Sequence, residues 1–86
     1  MAYNKKEAQA KIQALGDAMA AHKYDEAWTV AGALSSYLKT NKDSMTGSDF
    51  EIINRVIKEY YAMNKQIEAV GKRVFAMGKK TQAVQL

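Results

Sequence analysis

SDFEIINRVIKEYYAMNKQIEAVGKRVFAMGKK, residues 48–80, is the stretch on which the fold turns. It opens on Ser48-Asp49-Phe50-Glu51, a capping box in which a hydroxyl and a carboxylate satisfy amides that a helix start leaves unpaired. Behind it Val56, Tyr60, Met63, Ile67, Val70, Val74 and Met77 recur at alternating spacings of four and three, the period of one face of an α-helix. Ile52, Ile53 and Ile57 widen the N-terminal half of that face. The pattern predicts a long third helix over 49–80, which at about 1.5 Å per residue would span about 48 Å.

Two shorter helices precede it. Asn4 with Glu7 three residues on reads as a helix start, with Tyr3 and Ala8 placed as a hydrophobic staple. Ala8, Ile12, Leu15 and Met19 then line one face and predict a helix over 4–21. Gly16 inside it costs about 1 kcal/mol relative to alanine, so it is either tolerated or there to admit a neighbouring backbone. His22-Lys23-Tyr24 has no apolar period and precedes Asp25, a good cap residue, which predicts a short turn and a second helix over 25–39. Ala27, Ala31, Leu34 and Leu38 form its inner stripe, with Val30, Tyr37 and Trp28 beside it and the indole expected as a core anchor.

So short a turn makes the first two helices an antiparallel hairpin, and the polar run at 40–47 separates them from the third. The expected architecture is all-α and resembles a three-helix bundle, one helical domain over 1–86 with a frayed tail at 81–86. A first helix of about 27 Å cannot match a third of about 48 Å. An overhang would leave Val70, Val74 and Met77 facing water unless a second copy or another protein covers them, in the manner of a coiled coil. In the alternative, the helix breaks at Gly71 or Gly78 and the tail folds back.

The net charge of +4 sits at one end. Up to Asn64 the basic and acidic residues balance, whereas beyond it Lys65, Lys72, Arg73, Lys79 and Lys80 face only Glu68. Such a basic arm favours acidic partners without choosing among proteins, nucleic acid and lipid. Lys58, Lys65, Lys72 and Lys79 recur every seven residues and could follow a phosphate backbone, but the same row lies opposite the apolar stripe, where a helix puts its solvated charges. Tyr61 and Phe75 fall on the flank of the third helix; Tyr61 is expected against the hairpin and Phe75 in solvent. Lys5, Lys6, Glu7 and Lys11 interrupt any leader-like apolar run, and no window approaches the length of a membrane span, so the cytoplasm is the expected address.

Catalysis finds no foothold. Cysteine is absent, which removes thiolate chemistry and cysteine-ligated metals, and His22 is the single histidine. No glycine-rich phosphate loop occurs, and Asp25 and Glu26 suit a helix start better than an acid–base pair. No enzyme, cofactor or metal site is expected.

Tyr24-Asp25-Glu26-Ala27-Trp28 at the start of the second helix, a polar loop, and a long final helix ending in Lys72-Arg73 and Lys79-Lys80-Thr81-Gln82-Ala83 resemble the FliT-like flagellar export chaperones. The resemblance implies a cytoplasmic chaperone that binds a helical segment of a filament-cap or export-machinery protein, the third helix supplying or shielding the docking face. The expected function is thus non-catalytic protein binding through Met63, Ile67, Val70, Val74, Phe75 and Met77, with a partner helix or a homodimer as occupant. The alternative is a small basic nucleic-acid-associated or viral regulatory protein that uses Lys65, Lys72, Arg73, Lys79 and Lys80 on phosphates.

Overall fold

The first helix starts where its cap places it: the Asn4 side-chain oxygen accepts a hydrogen bond from the Glu7 amide at 3.2 Å. The computed structural model describes residues 3–64 and 71–86, without the side chains of residues 71–73. The described elements are α1 (Lys5–Ala20), α2 (Tyr24–Asn41), a single 3₁₀ turn (Lys42–Ser44), α3 (Gly47–Asn64) and α4 (Gly71–Gln82). The chain is all-α. No described helix is long and apolar enough to cross a membrane.

The cap of α3 sits two residues before the expected one. Thr46, not Ser48, accepts the Asp49 amide through its hydroxyl at 3.2 Å and the Phe50 amide through its carbonyl at 3.0 Å. Asp49 is thereby set at the third helical position, but its carboxylate does not reach back to the cap. It accepts the Tyr3 hydroxyl at 3.0 Å and meets the Lys5 ammonium at 3.7 Å, buried where α1 and α3 begin. Tyr37, near the end of α2, closes the same corner: its hydroxyl donates to the Asn4 carbonyl and accepts from the Asn4 amide, both at 3.0 Å. Asp25 likewise is not a cap, because α2 begins at Tyr24 and Lys23 precedes it without a capping side chain.

Packing follows the stripes of α1 and α2. Ala8, Ile12, Leu15 and Met19 meet Ala27, Ala31, Leu34 and Leu38 in one apolar cluster, which Ile53, Val56 and Tyr60 of α3 join. Ile12, Leu15, Leu34 and Ile53 are wholly withdrawn from water, worth about 1.5–3 kcal/mol each. Trp28 corrects its expectation, with 55% of its surface exposed. The buried line of α2 runs through the small Ala27 and Ala31, which let the helix sit close to its neighbours, and the next residue is turned about 100° out of that seam.

The larger correction concerns the third helix. It stops at Asn64, and α4 runs back antiparallel along α1, so the chain reverses between Asn64 and Gly71. The greatest extent of the molecule is 38 Å, shorter than the continuous rod would be. Val74 is fully buried, Met63 is buried and Met77 is half-buried, so these stripe residues of α3 and α4 fill the chain's own core. Ile67, Val70 and Lys65 lie outside the described residues, as do the side chains of Lys72 and Arg73.

Glycine makes the fold-back possible. A methyl group placed on Gly78 would lie 2.5 Å from the Ala20 amide nitrogen and 2.9 Å from the Gly16 carbonyl oxygen. One on Gly16 would lie 2.7 Å from the Gln82 amide nitrogen. The two helices touch backbone to backbone, and Gly16 is there to admit that approach. The segment 81–86 is not frayed, because glutamines of α1 hold it. Gln13 donates to the Gln82 carbonyl, Gln9 donates to the Val84 carbonyl at 2.7 Å and accepts the Leu86 amide at 2.9 Å, and Gln82 donates to the Asp17 carboxylate at 2.6 Å.

Two glycines should therefore respond oppositely. Gly78→Leu forces backbone apart and should destabilise the fold by about 1–3 kcal/mol. Gly32→Ala, in the interior of α2 with nothing within 4 Å of an added methyl, should stabilise it by about 0.5–1 kcal/mol, both read from denaturant midpoints.

The Asp49 clasp predicts an alkaline limb. Burial first, then the hydrogen bond and charge of Asp49 and the neighbouring Tyr37, push the Tyr3 phenol up from 10.0 to about 12. A raised folded value means that the protonated phenol's contribution is complete below pH about 10 and is lost as pH climbs toward 12. Tyr3→Phe should cost about 1–2 kcal/mol near neutrality and flatten that limb in a pH series of thermal midpoints.

Candidate functional site

Where α1 ends, the His22 amide bonds back to the Met19 carbonyl at 3.1 Å and the Lys23 amide to the Ala18 carbonyl at 2.8 Å. This pair of bonds is a Schellman motif, and it places His22 at a φ of 58°, the left-handed position that usually falls to glycine. A side chain there costs about 1 kcal/mol or more. His22 uses the position to aim its ring outward, stacked on Tyr24 with centroids 6.0 Å apart and edge-on to Phe75 at 6.3 Å.

Around this turn three helices, α2, α3 and α4, bring aromatic side chains to one end of the molecule. Phe75, in the early part of α4, carries the Lys79 ammonium over its ring, 5.5 Å from the centroid and one helical turn along. Trp28, one turn beyond Tyr24 on α2, packs edge-to-face on Tyr61 of α3 at 5.7 Å, and Tyr61 packs in turn on Tyr60 at 5.3 Å. Tyr60 is buried, and desolvation followed by the effect of Tyr61 raises the pKa of its phenol. Phe75 keeps 45% of its surface exposed and Trp28 more than half; among the described residues they are the two large apolar side chains left in water. An open groove of about 700 Å³ runs along the start of α2 from His22 to Val30; Asp25 and the paired Lys23 and Glu26 line it, and neither Trp28 nor Phe75 does.

Of the expected docking face, Met63 and Val74 pack inward and Met77 is half-buried, while Ile67 and Val70 lie outside the described residues. Phe75 alone among the described apolar candidates is exposed, as expected, although it sits against His22 rather than beyond the bundle. Tyr61 lies half-buried at the α2–α3 seam. Of the basic candidates, Lys79 lies on Phe75 and Lys80 reaches Glu59 of α3 at 3.4 Å; both are exposed. His22, Tyr24 and Trp28 were not among the expected docking residues. Two signals pointed to them: a histidine at a helix end that lacks glycine, and an indole one residue off the alanine stripe.

Chemically, this end offers flat apolar faces, one imidazole and ammonium groups. Among the described residues no three His, Asp or Glu side chains gather in a form that could hold a metal ion. No family model matches the chain, and no curated protein or solved structure matches it significantly.

The strained histidine carries a separable prediction. His22→Gly should raise the thermal midpoint, by about 0.5–1 kcal/mol of added stability, because glycine meets no Cβ penalty at that φ. A fall in the midpoint would mean that the ring contacts with Tyr24 and Phe75 outweigh the backbone term.

Proposed function

We infer that the chain is a non-catalytic helical binding domain that takes a helical segment of a partner protein on the aromatic end built by His22, Tyr24, Trp28, Tyr61 and Phe75. The observation that carries this reading is the exposure of Trp28 and Phe75, each held in place by another ring rather than buried. Rigid aromatic side chains with one face free give contact area at little entropic cost, and such residues dominate the energy of protein interfaces. Lys79 over Phe75 adds a cation at the rim of this end, where an acidic side chain of a partner could pair with it. An export-chaperone-like role in the cytoplasm, implied by the resemblance to FliT-like proteins, belongs to the same proposal, although its docking face would be this end and not a long final helix.

A second reading draws on Lys79 over Phe75 with His22 and Tyr24 alongside, since stacked rings next to ammonium groups also suit single-stranded nucleic acid. Salt tells the two apart. Contacts to several phosphates weaken steeply between about 50 and 200 mM salt, whereas apolar burial responds little. Trp28 is the single tryptophan, so its emission reports occupancy directly. Titration with amphipathic helical peptides should shift that emission to the blue at either salt concentration, and Phe75→Ala should weaken binding about tenfold or more. A shift produced only by a single-stranded oligonucleotide, and lost at the higher salt, would favour the second reading and remove the first.

A further inference from the structure

We propose that the flank of α1 carrying Gln9 and Gln13 is a binding site for an extended peptide segment of a partner protein, one with apolar residues at alternate positions and an acidic residue just beyond them. The chain's own residues 82–86 occupy that site and show how it recognises a strand. Residues 83–86 lie beyond the end of α4. Gln9 donates to the Val84 carbonyl at 2.7 Å and accepts the Leu86 amide at 2.9 Å, the two groups that an extended chain turns to the same side. One side-chain amide thus does around Gln85 what a neighbouring strand would do, and Gln13, one helical turn along α1, takes the Gln82 carbonyl. Exposure alternates in step: Ala83 and Gln85 face water, whereas Val84 and Leu86 are half-buried against the apolar core.

Main-chain bonds with pockets for alternate side chains are the way an added strand is recognised, and they do not require the segment to belong to the same chain. An open groove of about 740 Å³ continues alongside the tail, lined by Gln9, Ala10, Gln13, Gln85 and Leu86, and runs to Lys5 and Lys6 at the start of α1. Lys5 meets Asp49, whereas Lys6 stands exposed, so a carboxylate placed just after the second apolar side chain finds an ammonium group there. A half-buried segment outside any helix belongs to the parts of a protein that open most readily. Tail and partner therefore compete for one strip, the tail at an effective concentration on the order of millimolar. Because the tail is docked at that concentration, a separate peptide of the same pattern binds the uncovered strip with a Kd below about 1 mM.

The test uses the full chain with Val84→Asp and Leu86→Asp, which removes the apolar grip of the tail and leaves Gln9 and Gln13 in place. Nuclear magnetic resonance of the Gln9 and Gln13 side-chain amides reads occupancy directly. Titration of this variant with the end-blocked peptide Gln-Ala-Val-Gln-Leu-Glu should shift both signals with a Kd below about 1 mM, and the unaltered chain should bind about tenfold more weakly because its tail competes. Methylating the leucine nitrogen of the peptide removes the amide that Gln9 accepts and should weaken binding about tenfold, as should Gln9→Leu in the tail variant, read on Gln13. Lysine in place of the peptide's glutamate should weaken it several-fold at low salt, on the order of 10 mM. The proposal is overturned by the absence of a shift in the tail variant, by equal binding to the unaltered chain, by an N-methylated peptide that binds as well as the parent, or by indifference to the exchange of glutamate for lysine. If the aspartate pair does not fold, Val84→Ala with Leu86→Ala replaces it and the same outcomes decide. The strip lies at the end of α1 remote from His22, so none of these outcomes bears on whether the aromatic end binds a partner.

Discussion

Gly16 of α1 and Gly78 of α4 bring two helix backbones into direct contact, with no side chain between them, and the close seating of α4 on α1 depends on that approach. With the helices this close, glutamines on α1 reach the carbonyls at the end of α4 and fix the last residues of the chain. The same seating drives Val74 into the core beside α1 and turns Phe75, the next residue, outward onto His22. A core of modest size leaves a thin margin of stability in a chain of 86 residues, so a contact that spans from position 16 to position 78 closes a long loop at a single point.

The aromatic end is assembled in part by that closure, which brings Phe75 of α4 against His22. His22 occupies a backbone conformation that glycine would hold more cheaply, and its ring is the piece that joins α4 to the start of α2. Trp28 and Tyr61 extend the cluster across the α2–α3 seam. Strain kept where an exposed side chain gains a fixed direction is the arrangement found at binding and catalytic positions generally.

Much of this was legible in the sequence and the remainder was not, for identifiable reasons. The stripes Ala8–Ile12–Leu15–Met19 and Ala27–Ala31–Leu34–Leu38 state their burial outright, because a period near 3.6 admits one inward face. The start of α1 at Asn4 follows from its cap. The end of α3 is not marked by the apolar spacing, which continues from Val56 to Met77 across the reversal; Asn64 and Gly71 permit a break there, and the close fit of Gly78 on Ala20 favours the folded-back arrangement. The fold-back alternative was open in the sequence through Gly71 and Gly78, yet Gly78 acts as a packing surface inside α4 rather than as a stop. Trp28 was misplaced because size argued for the core, whereas angle around α2 argued against it. Ser48 lost the cap to Thr46 since Asp49 was needed to receive Tyr3 and Lys5.

Trp28 standing edge-on to Tyr61, with Tyr60 behind, has an optical consequence. Phenols excited so near an indole pass their energy to it, so light absorbed by α3 emerges from α2. The share of that relay contributed by Tyr60 and Tyr61, separated from the rest by replacing them, reports on the seam between the two helices without any label.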